Sequence, residues 1–193
     1  VKEYTYLEYC DYLQGKYGIG LADYMTKSFN TNPKCKRTKD GLLAHHKKED
    51  IMIKLSDKEV AQLFPFEWQL KENIVYCDYL EHLLLHVLIC KNPVSNDKGL
   101  ISAGIGGVVE YIAPELNDLY SGWETNQEWR KNCHDKVVAD KDVYLTILKQ
   151  FLDIEKNNPI FRIDMLYHSF NQKYGYWSDK KNQEIYAEIK ALG

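Results

Sequence analysis

The chain has 193 residues, with 25 Lys and Arg against 28 Asp and Glu for a net charge of −3, and it is 45% hydrophobic and 27% charged. This is an ordinary folded composition for one fairly large domain, or a small domain with an added lobe, and it excludes a disordered chain. No apolar run approaches the ~20 residues of a bilayer span. The start, VKEYTYLEYCDYL, has no signal-peptide core, and five scattered cysteines without a C-x-x-C pair argue against a disulfide framework or a zinc ribbon. The expectation is a cytoplasmic protein with reduced thiols and no membrane contact.

The first predicted element is a helix over residues 2–17, with Leu7, Cys10 and Leu13 at helical spacing, ended by Gly15, Gly18 and Gly20. A second short helix is expected over residues 21–29, stopped by Asn30-Thr31-Asn32-Pro33. From residue 34 to 48, Lys34, Lys36, Arg37, Lys39, Lys47 and Lys48 stand against one acid, Asp40. Such a patch suits a phosphate backbone, and equally a solvated loop. Residues 41–47 read as a strand. Ser56-Asp57-Lys58-Glu59 has the form of a capping box and opens a short helix to Phe64, which Pro65 ends. Phe64, Phe66 and Trp68 alternate and suit a small apolar cluster.

Residues 74–76 read as a second strand. Residues 78–90 read as a helix that Asp78 can cap, with an apolar face of Leu80, Leu83, Leu84, Val87 and Leu88. Residues 91–107 read as a loop, whose glycines match neither G-x-G-x-x-G nor a P-loop and suit a hinge or tight turn. A short helix over 108–111 is broken near Pro114. Helices follow over 124–139, over 140–156 with Val143, Ile147, Leu148, Phe151 and Ile154 on one side, and over 161–173 and 179–192. The expected fold class is α+β, predominantly α. Its expected parts are an N-terminal helical segment (1–33), a core (34–91) and a helical region (92–193) packed with the core as one unit.

Four of the six histidines fall between Gly41 and Cys90. His82 and His86 are four apart on a predicted helix, so their imidazoles share one face. A third ligand from His45-His46 on the first strand would leave positions open for water and substrate, as a catalytic metal requires. Successive strand residues point to opposite faces, so one of the pair would ligate and the other could act as a base. Each piece also has a plainer reading: a surface or core His pair, packing histidines on an apolar helix, and a turn residue at Asn73. The helix is not that of a zincin, because Leu83 follows His82 where H-E-x-x-H demands Glu.

The order His45-His46, Asn73, His82-x3-His86, with nine residues from Asn73 to His82, resembles the HNH (ββα-metal) nucleases of the colicin DNase type. The phrase ENIVYCDYLEHLLLHVLI is similar to a line found in many phage and bacterial HNH proteins. The resemblance spans residues 41–90. It implies a ββα-metal core embedded among helices, with His45, His82 and His86 binding the metal. It also implies His46 as general base and Asn73 as brace of the loop that orients His46. The interval from His46 to Asn73 is longer than in compact members, and an insertion with its own helix is expected there.

The implied activity is metal-dependent hydrolysis of DNA phosphodiester bonds, in restriction, phage defence or phage DNA processing. The implied cofactor is one divalent ion, Mg²⁺, Mn²⁺, Ni²⁺ or Zn²⁺; three imidazoles favour the transition ions over Mg²⁺. The six basic residues would hold DNA, and region 92–193 would supply recognition or a homodimer contact. Two alternatives stand beside this: a nuclease toxin with an immunity (inhibitor) protein, and a non-catalytic zinc-stabilised binding protein.

Overall fold

The structure, a computed structural model, describes residues 3–94, 103–173 and 179–193. It is mostly helical, with a single two-stranded antiparallel sheet among the described residues. The sheet pairs β1 (Leu43–His46) with β2 (Ile74–Cys77), in the register Leu43↔Cys77, Ala44↔Tyr76, His45↔Val75 and His46↔Ile74. Helix α3 (Tyr79–Lys91) follows β2 after one residue, Asp78, which caps it. The Asp78 carboxylate accepts from the Glu81 N–H at 2.8 Å, and the Glu81 carboxylate accepts from the Asp78 N–H at 2.9 Å. These reciprocal bonds satisfy two donors that a helix start leaves unpaired.

Helix α3 is apolar on nearly every side, the pattern of a helix buried all round. Leu80, Leu83, Val87 and Cys90 face the main core. Leu85, Leu88 and Ile89 face a second core, shared with Tyr6, Tyr9, Cys10 and Leu13 of α1 (Tyr6–Tyr17) and with Val75 and Cys77 of β2. Each fully buried aliphatic side chain of this kind contributes about 1.5–3 kcal/mol relative to exposure. His82 and His86 occupy the remaining stripe of the helix.

The main core continues into α5 (Ala113–Tyr120), α7 (Lys141–Glu155) and α9 (Asp179–Lys190), with the short α8 (Phe170–Lys173) beside α5. Helix α6 (Glu128–Asp135) is tied to α5 through a buried network. Arg130 pairs with Glu115 and with Asp118, and His134 Nε2 lies 2.6 Å from Glu115 Oε1. No helix among the described residues is long and apolar enough to cross a membrane.

Several elements differ from the sequence expectation. Residues 21–29 form no helix. The chain there turns through Thr26–Asn30, with Phe29 at φ +56°, and is drawn out by tertiary bonds from the Lys71 N–H to Asp23 and from the Tyr24 N–H to Gln69. The expected capping box at Ser56 does not form. The short helix α2 (Lys58–Ala61) starts after Asp57 without a side-chain cap, and the Ser56 side chain pairs with Tyr24 instead. Phe64 stacks on Trp68 and Phe66 packs edge-on to Phe29, so these rings pair with one another outside the two cores.

The expected loop over 91–107 lies partly outside the described residues. Its described end is helical: α4 (Ala103–Gly106) runs into a π-helical segment, Gly107–Ile112, and on into α5. Pro114 does not break this run. It occupies the start of α5, where its missing N–H costs little, after a widened turn that accommodates it. Residues 161–173 divide into a 3₁₀ turn (Ile163–Leu166) and α8 instead of one helix.

Candidate metal centre

The chain leaves β1 at His46 and turns at once. The Glu49 N–H donates to the His46 carbonyl at 3.0 Å, which folds the Glu49 side chain back beneath the strand end. There it meets the two histidines of α3. His45, Glu49, His82 and His86 each offer a ligand atom, all within 4.8 Å of one another. His82 Nε2 lies 3.1 Å from His45 Nδ1, His45 Nδ1 lies 3.4 Å from Glu49 Oε2, and Glu49 Oε2 lies 3.5 Å from His86 Nε2. Donors held about 2.0–2.2 Å from a tetrahedral ion sit about 3.3–3.6 Å apart, so these three spacings lie close to the edges of such a polyhedron, with the other separations within 4.8 Å.

Electrostatics favours the same occupant. Burial drives the rings towards their neutral forms: it lowers His45 to about 3, opposed by Glu49 and helped by His86 and His46. Burial also holds His82 well below its ordinary value and lowers His86. At Glu49, burial works to raise the pKa, but the adjacent His45, His46 and His86 outweigh it, and the carboxyl stays ionised. The two tendencies conflict, because the carboxylate needs a cation while burial denies the rings their protons. Among the described residues its ion-pair neighbours are histidines alone. His82 Nδ1 and His86 Nδ1 are also buried without a hydrogen-bond partner, which natural interiors seldom tolerate. Those two nitrogens lie on the ring edges turned from the cluster; a divalent cation among His45 Nδ1, Glu49 Oε2, His82 Nε2 and His86 Nε2 would supply the missing charge, so this donor set fits a metal. Its identity stays open between zinc-like ions and others that accept three imidazoles and a carboxylate.

Neighbouring side chains determine which nitrogen of each strand histidine is free. The Tyr6 hydroxyl lies 3.2 Å from the His46 carbonyl, which can only accept, and 2.8 Å from His45 Nε2. With its one proton given to the carbonyl, Tyr6 accepts from His45 Nε2–H, and His45 Nδ1 presents a lone pair to the cluster. Gln69 does the same for His46. Its amide nitrogen donates to the Leu55 carbonyl at 3.1 Å, so its oxygen faces His46 Nε2, also at 3.1 Å. His46 is therefore protonated on Nε2, and its bare Nδ1 stands 3.6 Å from Glu49 Oε1. The Tyr24 ring covers the imidazole, with centroids 4.4 Å apart.

Asn73 lies away from the cluster. Its side chain donates to the Glu67 carbonyl at 2.7 Å, and its own carbonyl accepts from the Lys47 N–H at 2.9 Å. It thereby ties together the loop that carries Gln69. Of the six basic residues, Lys47 pairs with Asp11, and Arg37 is held by Asp40 and the Tyr17 carbonyl. Lys34, Lys36 and Lys39 are exposed, and Lys48 is half-buried. His134 belongs to the Glu115 network.

Glycines let the π-helical segment close over the back of the site. A Cβ on Gly107 would overlap the His86 ring, and one on Gly104 would overlap the His86 carbonyl and Cys90 Sγ. Sequence reasoning read these glycines as a hinge; their lack of a side chain instead allows helix to pack on helix. It also missed Glu49, Tyr6 and Gln69. For Glu49 a signal existed, since it stands three and four residues after the His pair, just beyond the basic stretch. Tyr6 and Gln69 carry no local mark.

The cluster opens on a pocket of about 240 Å³ lined by His46, Glu49, His82 and His86. A wider cleft of about 540 Å³ adjoins it, and Tyr24, Ala44 and His82 line both. Comparison with protein-family models, with curated proteins and with solved structures returns no match.

Proposed function

We propose that this chain is a metal-dependent endonuclease of the ββα-metal (HNH) type that hydrolyses DNA phosphodiester bonds. The observation that carries this reading is the pairing of a His₃Glu donor cluster with an adjacent imidazole, His46, whose unprotonated nitrogen faces the cluster. The β1–β2–α3 order and the positions of His45, His82 and His86 support it. His45, His82, His86 and Glu49 would hold one ion. When bound, a divalent cation supplies neutralisation of the charge that grows on a phosphodiester in the transition state. His46 Nδ1 takes a proton from the attacking water while Gln69 holds the opposite edge of the ring. The water oxygen bonds to phosphorus and the bond to the 3′ oxygen breaks, the departing oxygen taking a proton from solvent, leaving a 5′-phosphate and a 3′-hydroxyl. A positioned general base of this kind contributes about 10²–10⁴-fold.

Cleavage of supercoiled plasmid with Mg²⁺, Mn²⁺, Ni²⁺ or Zn²⁺ tests the reading. His46→Ala should abolish cleavage while metal binding persists. Cleavage by His46→Ala at near wild-type rate would remove His46 as the base.

Glu49 itself favours a second reading. With four protein donors a tetrahedral zinc is fully coordinated, as in structural sites, and the protein would be a zinc-stabilised binding module. That reading requires a tightly held ion and no DNA cleavage with any metal. In it, Glu49→Gln would lower thermal stability in zinc and have no activity to lose.

A further inference from the structure

The cleft beside the metal centre has a composition that the cluster does not explain. It is lined by Leu42 and the start of β1 (Leu43 and Ala44), by Cys35, Lys36, Arg37 and Thr38, and by Trp129 of α6. The Trp129 indole is 43% exposed, unusual for so large an apolar ring. Local packing holds it there. Gly41, at φ +70°, lacks the Cβ that would strike the Asn132 carbonyl, so the turn before β1 sits directly on α6. The cleft is thus an aromatic wall fixed to the strand that carries His45 and His46.

Its charge is the second observation. The chain as a whole is acidic, yet the residues lining this cleft include Lys36 and Arg37 and no Asp or Glu among those described. Arg37 is anchored by the Tyr17 carbonyl and Asp40, whereas Lys36 is exposed at the rim. Cations around an exposed aromatic face are the pattern that binds single-stranded nucleic acid: the cations meet phosphate, and the ring takes the flat face of a base. The volume, about 540 Å³, is in the range of small-ligand sites and suits a single nucleotide. His82 lines both this cleft and the pocket over the cluster, so a strand lying in one reaches the other.

We infer that this cleft binds an unpaired nucleotide of single-stranded DNA, stacked on Trp129 with its phosphate at Lys36, and so presents the neighbouring phosphodiester to the metal centre. This rests on the nuclease reading and narrows it, since the preferred substrate becomes single-stranded or locally unpaired DNA.

The test measures binding and cleavage separately. Binding of a fluorescent oligothymidine to the metal-free protein is compared with binding of a duplex of equal length, at fixed salt. Wild type should bind the single strand more tightly. Trp129→Leu should weaken it about 5–150-fold, the span that removal of one stacking partner covers, and Trp129→Tyr should restore most of it. Lys36→Ala should weaken it and flatten its salt dependence. With an active metal, Trp129→Leu should lose single-strand cleavage by a similar factor. Tighter binding to the duplex, or single-strand affinity unchanged in Trp129→Leu, overturns the cleft assignment even if wild type cleaves DNA. Single-strand binding that depends on Trp129, with no cleavage in any metal, sinks the nuclease reading and leaves the cleft standing.

Discussion

The Tyr6 hydroxyl, on the first helix, lies 2.8 Å from His45 Nε2, on the strand nearly forty residues later. Through that contact α1 decides which His45 nitrogen is free for a metal. Partners that orient a ligating histidine in this way are worth about 10–100-fold in metal affinity. Tyr6→Phe keeps the ring in its core and removes only the oxygen. It should weaken Zn²⁺ binding by about that factor, read by competition with a chelating dye, while the far-ultraviolet dichroism stays at wild-type strength. Unchanged affinity would reduce Tyr6 to packing.

Gln69 is buried and bridges the Leu55 carbonyl to His46 Nε2. Gln69→Leu leaves both partners unpaired, at about 1–3 kcal/mol for each buried group, and frees the His46 ring to rotate. DNA cleavage should fall by a factor of up to ~10²–10⁴, the whole worth of a general base. Metal affinity should hold, because Gln69 touches none of the four donors. A parallel loss of metal and activity would count against the separate role of His46.

Gly107 and Gly106 are adjacent and should respond in opposite ways. A Cβ at Gly107 overlaps the His86 ring, whereas one at Gly106 would meet Ile53 Cδ1 at an ordinary 3.7 Å. Gly107→Ala should cost about 1–3 kcal/mol, as overpacking does, and weaken metal binding by displacing His86. Gly106→Ala should be neutral or stabilising by about 0.4–1 kcal/mol, since it restricts the unfolded chain. Thermal midpoints with and without added zinc separate the two. Equal effects at both positions would contradict this packing.

Acid should destabilise the metal-free protein. Folding lowers His45 from 6.5 to about 3, so between those values the unfolded chain carries a proton that the folded chain refuses. Stability is complete above pH 6.5 and declines as pH falls towards 3. His82 and His86, also lowered, act in the same direction, and Glu49, held below 4.5, adds its own loss at the acid end. In chelator, the thermal midpoint should drop steadily from pH 7 to pH 4.5, and the drop should be shallower in His45→Gln. A midpoint independent of pH across this window would contradict the burial of these rings.

The sequence by itself determined the pieces whose causes are local. Helical spacing set His82 and His86 one turn apart on α3, Asp78 marked where that helix begins, and the two apolar runs marked β1 and β2. Only the tertiary structure decided what surrounds them. Glu49 enters the cluster through a turn whose geometry no periodicity encodes. Tyr6, Gln69, Gly107 and Trp129 reach the site or its cleft from elements distant in the chain. Residues 21–29 and Ser56 went against their local signals because bonds to Gln69, Lys71 and Tyr24 outweighed weak propensities of a few tenths of a kcal/mol per residue. Hydrogen-bond partners and close approach belong to distance in space, which linear spacing records only within a single helix or strand.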